Sequence, residues 1–159
     1  MPSNKYIGVF VVILLLVFGP YGYAQKIDPA QLKPGANFTI DLPYLGMSNR
    51  TSGNKPVKMK IILPDNYNPK HKHPVLVHLE GGRGGILQVR LWQNVIEKKN
   101  FILVGVDYTH PGFTSGTRNA LYAVNTLTRA TKIDLKNVVL AGLSSGDYGL
   151  TAMMDFQSR

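Results

Sequence analysis

The sequence predicts an α/β fold: a mostly parallel sheet with helices on both faces and antiparallel strands at its N-terminal edge. Three observations carry that expectation. Short, nearly continuous apolar runs (Pro74-Val75-Leu76-Val77-His78-Leu79, Phe101-Ile102-Leu103-Val104-Gly105-Val106 and Val138-Val139-Leu140-Ala141) read as strands covered on both faces. Segments with apolar side chains at helical spacing lie between them. Two alternating runs precede them, as half-buried strands would.

The elements follow in chain order. Residues 25–37 are polar and proline-punctuated and read as a leader, with a domain occupying 38–159. Phe38, Ile40 and Leu42 alternate with polar neighbours, and the Pro- and Gly-rich residues 43–56 form a loop. Val57 to Leu63 begins as an alternating strand and becomes wholly apolar. Pro64 to Pro69 is a turn, and Lys70-His71-Lys72-His73 reads as a solvated basic stretch. After the first buried strand, Leu87/Leu91/Val95 and Val89/Trp92/Ile96 predict a helix over 86–99. After the second, Ala120, Ala123, Val124, Leu127 and Ala130 mark the buried face of a helix over 117–132. The third is followed by a helical start from Gly146 to Phe156. In such sheets, sites form where strand C-termini meet helix N-termini, which directs attention to loops 80–85, 107–116 and 142–146.

Charge and composition narrow the function classes. The chain of 159 residues carries 18 Lys+Arg against 9 Asp+Glu and no cysteine. Disulfides, thiolate zinc sites and cysteine nucleophiles are therefore excluded. Lys5, the apolar run from Ile7 to Phe18, Gly19-Pro20 and the small residues Gly22 and Ala24 have the order of a signal peptide over residues 1–24, cut after Ala24. Its apolar run of 12 residues is short of the roughly 20 that a bilayer span needs. The expectation is a secreted or periplasmic protein with no stable membrane span after cleavage and no nucleic-acid partner. Its positive field then suits acidic envelope lipid, acidic polysaccharide or an anionic substrate, or is simply a solvated basic surface. Asn37-Phe38-Thr39 and Asn49-Arg50-Thr51 fit the N-glycosylation pattern. The oligomeric state is not legible.

Gly142-Leu143-Ser144-Ser145-Gly146 stands between the last buried strand and the last helix. Flanking glycines let a sharp turn lift the Ser144 hydroxyl clear of the sheet, near the positive end of the following helix, and aim the Ser145 N–H at a developing oxyanion. The competing reading is a structural tight turn. Glu80-Gly81-Gly82-Arg83-Gly84-Gly85 follows the first buried strand, and its glycines bring main-chain N–H groups close to a substrate. As a phosphate cradle it fails, because Leu87 stands where G-x-G-x-x-G needs its last glycine and the Gly-Lys-Ser/Thr of a P-loop is missing. His71 and His73 form an H-x-H pair with no carboxylate nearby, which points away from a metal site. His78 reads as a hydrogen-bonded core residue. Asp107 reads as a cap that ties down its loop.

From about Val57 onward the chain resembles the α/β-hydrolase superfamily, in its secreted esterase and polyester-depolymerase branches. The resemblance rests on Leu63-Pro64-Asp65-Asn66-Tyr67, the run from Pro74 to Gly82, Val106-Asp107-Tyr108 and Gly142 to Gly146. It implies a serine hydrolase of carboxylic esters, with a small-molecule or polymeric ester substrate. Ser144 would be the nucleophile, the Gly82 and Ser145 N–H groups would form the oxyanion hole, and no metal or organic cofactor would be needed. Glu80 stands where the family usually has histidine, and Asp147 where another glycine often follows the elbow. The family order is Ser, then Asp or Glu, then His, whereas the fifteen residues after Ser144 hold Asp147 and Asp155 without a histidine. The expectation is a C-terminally truncated hydrolase domain, inactive as it stands. The alternative is a non-catalytic or degenerate exported module that binds acidic glycan or envelope components. His110 and Glu80 are candidate pocket-lining residues, and His110 is a surrogate base.

Overall fold

A computed structural model describes residues 26–42, 57–81, 89–108 and 113–143. The predicted signal peptide, the loop over 43–56 and the helix starting at Gly146 lie outside the described residues.

Five strands form one sheet: β1 (Asn37–Leu42), β2 (Val57–Ile62), β3 (His73–Gly81), β4 (Ile102–Tyr108) and β5 (Ile133–Leu143), in the spatial order β1-β2-β4-β3-β5. β4 and β5 each lie parallel to β3, whereas β2 pairs antiparallel with both β1 and β4. Among the described strands the sheet is therefore mixed, not mostly parallel, and the antiparallel strands lie at the N-terminal edge. The connection between the parallel strands β3 and β4, residues 82–101, is long enough to hold the helical crossover that a parallel pair needs.

Alternation along β3 separates two apolar layers. Val75, Val77 and Leu79 join Ile102, Val104 and Val106 of β4 on one face, beneath helix α2 (Phe113–Ala130). α2 buries Ala120, Ala123, Val124 and Leu127 against them. Its two alanines leave the room that close helix–sheet packing needs. On the opposite face, Leu76, Leu103 and Ile62 meet Val89 and Trp92 of a 3-10 turn, Val89–Trp92, that leads into helix α1 (Gln93–Lys99). The helix predicted over 86–99 is thus, in its described part, a 3-10 turn followed by two helical turns. α1 ends at Asn100, whose φ of 56° is left-handed, and its last turn carries Lys98 and Lys99, which suit the negative end of the helix dipole.

The segment read as a polar leader packs into the core. Ile27 is 3% exposed within the α2-side layer, and Leu32 and Ala36 pack against that layer. Asp28 caps the 3-10 turn Pro29–Gln31 by accepting the Ala30 N–H at 2.9 Å. Gly35, at φ 68°, donates its N–H to the Pro64 carbonyl at 3.1 Å, and the Leu63 N–H reaches the Ala36 carbonyl at 2.8 Å. A Cβ at Gly35 would lie 2.9 Å from an Asp65 carboxylate oxygen, so both the φ and the space favour glycine.

β5 begins earlier than its apolar run. His73 pairs with Ile133 and Val75 with Val138, so residues 134–137 bulge between the two pairs. Asp134 stabilises the bulge by accepting the Lys136 N–H at 3.1 Å and the Asn137 side-chain amide at 2.6 Å. Those bonds, chiefly the Asn137 amide, hold the Asp134 carboxyl below its ordinary range.

His73 corrects the solvated reading of Lys70 to His73. It is buried and stacked on Tyr67 at 4.9 Å. Its Nδ1 faces the Asn100 carbonyl at 3.3 Å, and its Nε2 lies 2.9 Å from the Asn68 carbonyl and 3.2 Å from the Asn68 N–H. Main-chain groups thus engage both ring nitrogens, while His71 is exposed.

Candidate functional site

The three parallel strands end together. Glu80 of β3 is level with Asp107 of β4 and Leu143 of β5, and Gly81 is level with Tyr108. Hydrogen-bonded strands lie about 4.8 Å apart, so these three tips span about 10 Å of one sheet edge. Ser144 is the next residue after the tip of β5, and Gly82 is the next after the tip of β3. Ser144, Ser145, Gly82 and His110 themselves lie outside the described residues. Glu80 is described as a strand-tip residue between its two neighbours, and the sequence motifs thus lead onto one edge from adjacent strands.

The glycine segment is held at both ends. It leaves from Gly81 in the sheet and returns at Val89, which is fully buried against Leu76 and Leu103. Three residues on, the Trp92 indole N–H donates to His78 Nδ1 at 3.3 Å, with the two rings 6.3 Å apart and tilted. The residues level with His78 are Gly105 and Ala141, whose small side chains leave room on that face for an imidazole and an indole. Accepting at Nδ1 assigns the imidazole proton to Nε2. Burial lowers the His78 pKa, so the ring is neutral at pH 7.

His78 is therefore the hydrogen-bonded core residue that its apolar strand suggested, and it fixes the far end of the glycine segment to the strand that begins it. The indole–imidazole pair was missed in the sequence. The available signal was Trp92 at the end of an apolar stretch, fourteen residues after a histidine in a buried strand. His71 and His73 stand at the opposite end of β3, away from the strand tips.

No protein-family profile and no curated relative matches the chain. Solved structures do resemble it. The FphF fluorophosphonate-binding serine hydrolase of Staphylococcus aureus, substrate bound, has a TM-score of 0.58 at 15% identity, covering 79% of this chain and 53% of its own. A thermostable esterase has a TM-score of 0.53 at 20% identity, covering 76% of this chain and 37% of its own. Dipeptidyl peptidase 4 of Porphyromonas gingivalis has a TM-score of 0.52 at 15% identity, covering 74% of this chain and 18% of its own. The likeness is one of fold: the chain has the α/β-hydrolase fold over part of its length. It spans about half or less of the length of these structures.

Proposed function

We propose that the chain carries the nucleophile and oxyanion hole of an exported serine hydrolase acting on carboxylic esters. The observation that supports this most directly is the level ending of β3, β4 and β5, from which Gly82 and Ser144 follow on adjacent strands. The esterase and serine-hydrolase names among structures of the same fold support the same class.

In the reaction, Ser144 Oγ attacks the ester carbonyl carbon while a histidine base takes its proton. The carbonyl oxygen gains charge, which the N–H groups of Gly82 and Ser145 stabilise. Collapse expels the alkoxide, which leaves with the proton from the base, and the acyl group remains on Ser144. Water then attacks the acyl carbon, releasing the acid and restoring the hydroxyl. The resemblance implies a histidine that follows the elbow. Within these residues the candidate is His110, in the segment after β4, because His71 and His73 lie at the far end of the sheet and His78 is committed to Trp92.

The test treats the protein purified from its native source with a fluorophosphonate probe and an aryl ester. The label maps to the peptide holding Ser144, and Ser144→Ala removes both labelling and turnover. Full labelling or turnover in Ser144→Ala would overturn the assignment. His110→Gln then tests the base: lost turnover assigns the role to His110, and retained turnover removes His110 as the candidate. The intact mass of the same preparation checks the cut after Ala24.

A further inference from the structure

At the edge of the sheet opposite the strand tips, three separate segments bring lysines together. Lys70 and Lys72 lie in the turn before β3, Lys98 and Lys99 at the end of α1, and Lys132 and Lys136 at the start of β5. All six are exposed. The buried His73 ties their backbones together. Its N–H donates to the Lys132 carbonyl at 3.2 Å, its Nδ1 meets the Asn100 carbonyl just past Lys99, and its Nε2 meets Asn68 ahead of Lys70. The lysines are thus carried on a fixed frame rather than on independent loops.

Two acids stand in the same segments, Glu97 beside Lys98 and Asp134, whose carboxylate accepts from Lys136 N and the Asn137 amide and feels the charges of Lys72 and Lys136. None of the six lysines is in a salt bridge with a residue whose side chain is described; the bridge in that set is Lys58–Asp41, at 3.0 Å on β2 and β1. In the middle of the basic edge, between Lys132 and Lys136, Leu135 is 48% exposed. A lysine cluster alone would suit any polyanion. A leucine projecting within it is out of place against a hydrated polysaccharide but suits a lipid headgroup layer, where it reaches the acyl boundary while the lysines meet the headgroups.

We infer that this edge is a docking surface for anionic phospholipid, with Leu135 as its apolar contact and the six lysines as its electrostatic ones. Docking there turns the tips of β3, β4 and β5 away from the bilayer. The surface is independent of the ester-hydrolase reading, because it shares no residue with that site.

Vesicle co-sedimentation of the full chain tests it, with phosphatidylglycerol–phosphatidylcholine vesicles compared with phosphatidylcholine alone. Binding is expected to the anionic vesicles and to fall as salt is raised from about 0.05 M to about 0.5 M, where the screening length shrinks several-fold. The N-terminal apolar run would bind both vesicle types, so the difference between them isolates the basic edge. Lys132→Gln with Lys136→Gln weakens that difference by about fivefold per lysine. Leu135→Ser, which keeps every charge, weakens it by about fivefold. A thermal transition unchanged from the parent in each variant keeps the loss from being one of folding. Equal binding to both vesicle types, or anionic binding unaffected by Leu135→Ser, would overturn the inference. The latter result, with polygalacturonate stripping the protein from the vesicles, would assign the edge to acidic polysaccharide.

Discussion

Replacing Ile27 with alanine asks whether residues 26–36 are cargo or structure. The side chain is 3% exposed and lies in the same layer as Val75, Val104 and Leu127. The substitution removes three buried carbons, each worth about 0.8 kcal/mol in transfer. With a small cavity term added, the expected loss is about 3 kcal/mol. In a domain of this size each kcal/mol lowers the melting temperature by about 2–4 °C, so Ile27→Ala should melt about 6–12 °C below the parent. Circular dichroism at 222 nm, followed on heating and in urea, reads both quantities. Leu91→Ala is the control, since Leu91 is 72% exposed and its truncation should stay within about 0.5 kcal/mol. If Ile27→Ala also stays within about 0.5 kcal/mol, the segment is a detachable leader and its burial contributes nothing.

Two further predictions concern the packing around the strands. Burial holds His78 below its ordinary value of 6.5, so on acidification through that value the unfolded chain binds a proton that the folded chain refuses. The stability due to neutral His78 is complete above about pH 7.5 and falls with pH by up to about 1.4 kcal/mol per unit. His78→Gln should flatten the urea-derived stability slope between about pH 5 and 7, and identical slopes would refute the assignment. At Asn100, whose φ is 56°, alanine should cost about 1 kcal/mol while glycine stays within about 0.5 kcal/mol of the parent, read from urea midpoints. Alanine and glycine behaving alike would show that the left-handed conformation carries no cost there.

Much of the sheet was legible because its signals are local. Val57 to Ile62 shows its alternation openly, and the runs at 75–79 and 102–106 are too apolar and too short to be anything but buried strands. β5 was legible only from Val138, because its first half is the polar bulge at 134–137, and a bulge breaks the period that marks a strand. The burial of His73 was hidden for a different reason. Its partners are main-chain groups of Asn68, Asn100 and Lys132, distant in sequence and carrying no side-chain signature. Ile27 stands alone in a polar stretch with no periodicity to mark it, and its burial depends on a layer whose buried residues reach as far along the chain as Ile133. The candidate site was legible as two motifs. That they lead onto one edge from adjacent strands depends on β3 lying between β4 and β5, an arrangement that no local pattern encodes.

That strand order also governs when the fold can form. β3 has both of its sheet neighbours later in the chain, and β2 waits for β4 across residues 63–101. As the polypeptide emerges from its N-terminus, β1 and β2 can close as a hairpin, but β3 remains bare until β4 arrives and keeps an open side until residue 143 has been made. Such non-local pairing delays folding, because loop closure precedes the contacts that reward it. In a growing chain of this topology the sheet therefore closes late, around its third strand, when β4 and then β5 have been made.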